Sequence, residues 1–216
     1  MAKKKKIDVE ESAQKRNLEA ADRNRELFRS AGITVLNLIG SPGCGKTSIL
    51  EYTARECEGR FAVVVGDVKT ALDAERIEDS GIIAAPIETG GTCHLTAEMV
   101  RNAVESLDLD AIDYLFIENV GNLVCPSTFD LGEDQKVAVV SLPEGDDKVR
   151  KYPSLFSRAG MTFINKMDLL DAFPDYDVER IKEDLQGLKS DMRIFETSAE
   201  TGEGMDDWFA YLQDLD

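Results

Sequence analysis

A chain of 216 residues with 43% hydrophobic composition holds enough apolar mass for one globular domain and leaves little room for a second. Its 42 acidic residues against 25 basic ones give a formal charge of -17, which repels phosphate backbones and excludes general nucleic-acid binding. The longest apolar runs, such as Phe61 to Val65, have the length of strands, so no membrane span and no signal-peptide core is expected, and the location predicted is cytoplasmic.

At the start of the chain, Lys3 to Lys6 stand without aromatic neighbours and read as a solvated end rather than a tether. From about Val9 to Arg29 the sequence is rich in Glu, Arg and Ala, with Leu18, Leu27 and Phe28 as sparse apolar anchors. That pattern predicts an amphipathic helix ending near Gly32 and packing on the edge of the main domain, which sets residues 1–32 apart from a domain over 33–216.

Seven short apolar runs follow: Ile33 to Ile39, Phe61 to Val65, Ile82 to Ile87, Tyr114 to Glu118, Val137 to Leu142, Met161 to Ile164 and Arg193 to Thr197. Helical windows separate most of them, at Lys46 to Cys57, Ala71 to Asp79, Leu95 to Leu107 and Val178 to Leu188. Near-continuous apolar strands alternating with helices predict an α/β fold of about seven mostly parallel strands covered on both faces.

Behind the first strand comes Gly40-Ser41-Pro42-Gly43-Cys44-Gly45-Lys46-Thr47, followed by Ser48. It matches G-x-x-x-x-G-K-[ST] in the strand-to-helix setting that the motif requires, and so predicts a P-loop NTPase fold. The glycines let backbone N–H groups point into a phosphate-sized nest, Lys46 reaches the β and γ phosphates, and the Thr47 hydroxyl can ligate Mg²⁺. Cys44 fills a variable position; a thiolate favoured by the anion site would make it open to an oxidation that blocks phosphate entry.

After the second strand, Asp67 is placed to orient water or Mg²⁺ and Asp73 to reach Mg²⁺ as a switch residue, although either Asp also suits a helix N-cap. The usual D-x-x-G of GTPases is absent. In its place the fourth strand runs into Glu118-Asn119-Val120-Gly121, where Glu118 takes the metal-shell role and the Gly121 N–H the phosphate role. Base choice falls to Asn165-Lys166-Met167-Asp168, whose Asp168 carboxylate can accept from guanine N1 and N2; adenine lacks that donor pair. In Thr197-Ser198-Ala199-Glu200-Thr201-Gly202, Ser198 and Ala199 are similar to the loop that GTPases set against guanine O6.

Four cysteines at irregular positions do not form a disulfide framework. Cys93 and His94, the only histidine, lie just past the third strand, and Cys125 just past the fourth, at the sheet edge where α/β ligands bind. Buried cysteines acting as small hydrophobes are the competing account. One chain offers three ligands, so a four-thiolate site for Zn²⁺ or Ni²⁺ needs Cys93 and Cys125 from two protomers, and His94 beside Cys93 would be strained in a single tetrahedron.

Taken together, Gly40 to Thr47, Gly66 to Arg76, Cys93-His94-Leu95, Phe116 to Pro126 and Asn165 to Asp168 resemble the HypB family, SIMIBI-class GTPases that help insert nickel into [NiFe]-hydrogenase. The resemblance covers nearly the whole chain from Ile33. It implies GTP and Mg²⁺ as cofactors, GTP-dependent homodimerisation, Ni²⁺ or Zn²⁺ at Cys93, His94 and Cys125, and work with the nickel chaperone HypA and the hydrogenase large subunit or its maturation complex. Asn122 stands after Gly121 where a Gln would position water, so slow hydrolysis is expected.

Two departures stand out. The chain has no Cys-rich or His-rich N-terminus, which argues against nickel storage, and Val149 replaces a common proline, which would loosen Glu144 to Val149; Lys148 there either touches a partner's nucleotide or is solvated. Three rivals remain. A metal-storing dimer with a vestigial nucleotide site is opposed by Lys46, Thr47 and Asp168. A urease accessory GTPase with Cys-Pro-His is opposed by Ser127, and a translation or secretion GTPase by the lack of a basic surface.

Overall fold

The computed structural model describes residues 2–66 and 81–215, with side chains from residue 13 onward. In chain order the elements are α1 (Ala2–Ala31), β1 (Thr34–Gly40), α2 (Lys46–Glu56), β2 (Phe61–Gly66), β3 (Ile83–Ile87), α3 (Ala97–Val104), β4 (Tyr114–Glu118), α4 (Cys125–Thr128), β5 (Gln135–Ser141), α5 (Lys148–Lys151), α6 (Pro153–Phe156), β6 (Met161–Asn165), α7 (Val178–Leu188), β7 (Arg193–Glu196) and α8 (Met205–Gln213). All seven predicted strands form. Their order is β3-β2-β4-β1-β5-β6-β7 and every neighbouring pair is parallel, so the sheet is wholly rather than mostly parallel. The helical window Ala71 to Asp79 lies outside the described residues.

Alternation within each strand feeds two cores. On one face Leu36, Leu38, Val63, Phe116, Val139 and Phe163 pack beneath α2 and α8, with Trp208 at the centre. On the other, Val35, Ala62, Val64, Leu115 and Ile117 meet Phe28 of α1 and Val100 of α3, while Ala138, Val140 and Ile164 meet Leu155, Phe156, Ile181 and Leu185. A sheet buried on both faces needs apolar side chains in both phases, hence the unbroken apolar runs in the sequence.

Helix α1 starts at Ala2 rather than near Val9, so the lysine run belongs to its backbone. It ends as predicted: Gly32, at φ 68°, donates to the Arg29 carbonyl at 3.2 Å, and Ile33 donates to the Phe28 carbonyl at 3.2 Å, a Schellman closure that also joins Phe28 to Ile33 in one core. The helix lies over α3 and the 130–132 loop, and Leu18 is 48% exposed. Asparagines do the anchoring. Asn17 donates to the Asp130 carbonyl at 2.8 Å and accepts from the Ala97 N–H, an unpaired donor at the start of α3, at 2.9 Å. Asn24, wholly buried, donates to the carbonyls of Ala97 at 2.8 Å and Leu131 at 2.9 Å. An apolar pattern locates the Leu27 and Phe28 end of α1 but not this contact, because what Asn17 and Asn24 meet is backbone.

At the position of the common proline, Val149 is buried and sits in α5. Lys148 lies 3.8 Å from Glu144 within its own chain. No described helix is long and apolar enough to cross a membrane.

Replacing Asn24 by Ala removes the Asn24 donor from the buried Leu131 carbonyl and a second donor from that of Ala97, and is expected to lower stability by about 1–3 kcal/mol. Urea unfolding with an unchanged m-value and an earlier midpoint is the readout; an unmoved midpoint would show that α1 is held elsewhere.

Candidate nucleotide site and metal centre

β1 occupies the middle of the sheet, and the P-loop leaves its C-terminal end between β4 and β5. Ser41, Gly43, Cys44 and Gly45 carry the turn into α2, whose first turn holds Lys46, Thr47 and half-buried Ser48. Close approach rather than flexibility explains two of the glycines. A Cβ at Gly40 would come 2.5 Å from both Cys44 Sγ and the Val139 carbonyl, and one at Gly45, where φ is 100°, would overlap the Asn165 amide. Lys46 is buried to 6% exposure and folds over the loop, its Nζ 3.5 Å from the Gly40 carbonyl and 3.4 Å from that of Ser41. A cation held over a ring of backbone groups suits the phosphates of a nucleotide.

Cys44 departs from its expected chemistry. It is fully buried, and that burial pushes its thiol up to about 11 despite the nearby Lys46 ammonium. Desolvation outweighs the cation, so the group stays a protonated thiol and the oxidation reading falls.

The Asn165 to Asp168 motif reaches both ways. Asn165 Nδ2 donates to the Cys44 carbonyl at 3.0 Å while its Oδ1 accepts from the Ala199 N–H at 3.2 Å. Lys166, the one non-glycine with positive φ among the described residues, sends Nζ to the Gly43 carbonyl at 2.7 Å. Asp168 is exposed, and its Oδ1 accepts from the buried Ser198 hydroxyl at 2.6 Å. One carboxylate oxygen is thus anchored and the Asp168 carboxylate faces solvent, as recognition of a two-donor base edge requires.

On the other side of the P-loop, the Thr47 hydroxyl donates to Glu118 Oε1 at 2.7 Å. Pairing a helix-opening hydroxyl with a buried carboxylate is an oxygen donor set that fits Mg²⁺. Three residues on, a Cβ at Gly121 would meet Pro42 Cγ at 2.7 Å, so the loop after β4 lies directly against the P-loop.

That loop continues to Cys125, the first residue of α4. β3, which delivers Cys93 and His94, is separated from β4 by β2. Bridging the gap depends on Gly66 at the end of β2: a Cβ there would lie 2.9 Å from Leu95 Cδ1, so the missing side chain lets Leu95 cross over. Asn122 then ties the loops, donating to the Cys93 carbonyl at 3.3 Å and accepting from the Val124 N–H at 2.8 Å. In result, one ligand atom from each of Cys93, His94 and Cys125 lies within 4.8 Å of the others. A single chain therefore brings three candidate ligands together, and the neighbours Cys93 and His94 turn toward the same point, Sγ and Nδ1 being 3.5 Å apart. The His94 ring stacks on Phe129 at 3.8 Å between centroids.

Burial lowers His94 from the usual imidazole range, which keeps a neutral, ligand-ready ring. The hydrogen bond shared with Cys125, and then desolvation, raise Cys93 above the ordinary thiol range. A metal binding here must displace that proton.

The CobW/HypB/UreG nucleotide-binding domain family matches residues 34–196. The hydrogenase maturation factor HypB of Escherichia coli strain K12 is 43% identical over 215 residues, covering 99% of this chain and 74% of that protein. HypB from Helicobacter pylori, crystallised in complex with nickel, superposes with a TM-score of 0.88 at 40% identity over 92% of this chain and 94% of that one. For the hydrogenase maturation factor HypB from Archaeoglobus fulgidus the TM-score is 0.86 at 39% identity, over 93% and 98%. The chain belongs to the HypB family.

For this HypB-family chain, the sequence-predicted residues fall into two groups in contact. Gly40 to Ser48, Glu118, Gly121, Asn165, Lys166, Asp168, Ser198 and Ala199 gather around the P-loop, and Cys93, His94 and Cys125 form the second cluster. Asp67 and Asp73 lie outside the described residues. Phe129, Asn37, Asn119 and Glu133 were missed. Asn37 offered a signal, a polar residue in the middle of the apolar strand Thr34–Gly40.

Because His94 is the only histidine, its NMR titration is unambiguous. In metal-free protein its midpoint is expected below about 6.5; a midpoint above that value would contradict the buried, uncharged ring. Iodoacetamide at pH 8 is expected to label Cys93 and spare native Cys44, read by peptide mass spectrometry.

Proposed function

We propose that this chain is a GTP-hydrolysing metallochaperone that carries nickel at Cys93, His94 and Cys125 for the maturation of [NiFe]-hydrogenase. The observation that carries the reading is one stretch of chain: Glu118 bonds Thr47 of the P-loop at 2.7 Å, Gly121 rests on Pro42, and Cys125 joins Cys93 and His94 within 4.8 Å. Nucleotide and metal thus share a loop. Two thiolates and an imidazole suit Ni²⁺ and also Zn²⁺, and the similar Helicobacter pylori protein was crystallised with nickel.

In this reading Gly40 to Ser48 cradle the phosphates, with Lys46 countering their charge and the Gly121 N–H meeting the terminal one. Thr47, Glu118 and Asp73 hold Mg²⁺, which when bound neutralises phosphate charge. Asp67 orients the attacking water. Asp168 reads guanine, with Lys166, Ser198 and Ala199 closing the base site. Asn122 is committed to the Cys93 carbonyl, which leaves it no role in positioning water and supports slow turnover. A homodimer formed with GTP supplies the fourth ligand and shields the ion, and hydrolysis loosens the loop and releases it. HypA and the hydrogenase large subunit, in the cytoplasm, are the donor and acceptor.

Nickel titration in the GDP state and with a non-hydrolysable GTP analogue tests the core of this. Cys125→Ala is expected to weaken nickel at least about tenfold, and equal affinity in wild type and variant would remove the metal assignment. Because Cys93 carries a raised thiol, affinity is expected to fall as pH drops from 8 to 6.5, with proton release in calorimetry. Asp168→Ala is expected to cut the preference for GTP over ATP by about 100-fold or more; an unchanged ratio would assign base reading to other residues.

A further inference from the structure

Beneath the two clusters runs a line of buried polar side chains that belongs to neither. Asn37 is 0% exposed, Asn119 1% and Glu133 8%. Asn119 follows Glu118 directly, and its Oδ1 accepts from the N–H of Val120 at 3.0 Å and of Leu95 at 3.3 Å. Those two backbone donors fix the orientation of its amide, so Nδ2 must donate, and it does, to Asn37 Oδ1 at 3.1 Å. Asn37 is oriented in turn and donates from Nδ2 to Glu133 Oε1 at 3.1 Å. Glu133 also accepts from the Leu131 N–H at 2.6 Å and pairs with Lys136, whose Nζ donates to the Phe129 carbonyl at 2.6 Å.

The two ends of this line arrive at the same residue. Leu95 is the backbone neighbour of His94, and Phe129 is the ring stacked on His94. The middle lies in the sheet, where Asn37 stands opposite Ile117 on one side and Lys136 on the other. Every donor faces an acceptor in one direction only, so no member can turn without leaving a buried polar atom unpaired. A polar network this demanding in the middle of an apolar strand adds little stability over a packed leucine; what it adds is register.

We propose that Asn119, Asn37 and Glu133 are positioning residues that hold His94 in register with Glu118 and so carry the nucleotide state to the metal centre. The inference rests on the GTP-gated carrier reading above and names the parts that connect its two sites. A shift of the Glu118 loop moves Asn119, and the 3.3 Å bond to Leu95, the longest in the line, is where His94 feels it. The other end keeps Phe129 against the imidazole, so the ring cannot drift independently.

The test is a charge-and-amide swap. In Asn37→Asp the residue can no longer donate, and two carboxylates face each other. In the double variant Asn37→Asp with Glu133→Gln, the glutamine Nε2 donates to the new carboxylate and its Oε1 keeps the Leu131 N–H, while Lys136, which shares Glu133 Oε1 with Asn37 and stands beside it in the sheet, turns to the new carboxylate, so the buried charge count is unchanged. Nickel affinity is measured for each full-length protein with GDP and with the non-hydrolysable analogue, alongside the thiolate-to-nickel charge-transfer spectrum and far-UV circular dichroism.

Wild type is expected to show a ratio between the two states of about 5-fold or more. Asn37→Asp is expected to bring that ratio to about 1, and the double variant to restore it to within about threefold of wild type. Phe129→Leu, which needs no buried charge and covers the case in which Asn37→Asp does not fold, is expected to reduce the ratio and alter the spectrum. A wild-type ratio preserved in Asn37→Asp or in Phe129→Leu overturns the relay, as does a folded double variant that stays uncoupled. A ratio of 1 already in wild type overturns the carrier reading as well, and is told apart by appearing before any substitution.

Discussion

The hydrogen bond from Thr47 to Glu118 is the constraint on which the rest of the site depends. Thr47 stands on α2, whose start is dictated by the P-loop, and Glu118 stands at the end of β4, one strand away. The bond is short at 2.7 Å because both elements are packed on the sheet and cannot move apart without opening the core. Everything between 119 and 125 hangs from that point. Gly121 must be a glycine to lie on Pro42, and Cys125 must then emerge facing the loop that carries Cys93 and His94.

The base side is built by the same logic with different bonds. Asn165 and Lys166, expected to serve the base, spend their hydrogen bonds on the P-loop carbonyls of Cys44 and Gly43. The phosphate cradle and the base-reading loop are therefore one rigid unit, and Asp168 projects from it with its Ser198 partner already in place. Preorganisation of this kind lowers the entropy that binding must offset.

The acidity of the chain is compatible with an anionic ligand because the charge is distributed. Lys46 and Lys166 both sit on the P-loop, while carboxylates elsewhere pair locally, as in Arg60 with Asp113 and Arg150 with Asp184. The local field at the crevice is thus set by groups within a few ångströms, and the formal charge of -17 acts mainly on solubility and long-range encounter.

Local chemistry was readable before any coordinates. Seven strands appeared as unbroken apolar runs because a parallel sheet buries both faces, and the phosphate and guanine motifs were recognisable because their residues are consecutive. What lay beyond the sequence was set by partners distant along the chain. Asn17 and Asn24, rather than Leu18, anchor α1, because the receiving surface is the backbone of Ala97, Asp130 and Leu131. The Cys44 thiol is pushed up, because its desolvation by what packs over it outweighs the cation beside it in sequence. Cys93 and Cys125 meet within one chain because Gly66 admits Leu95 across β2, a clearance that no spacing rule encodes. The sequence by itself determined the fold class and the nucleotide chemistry, which are written in contiguous residues. Only the tertiary structure decided the meeting of Cys93, His94 and Cys125 and the polar line beneath it, since both consist of contacts between segments that only the sheet order brings together.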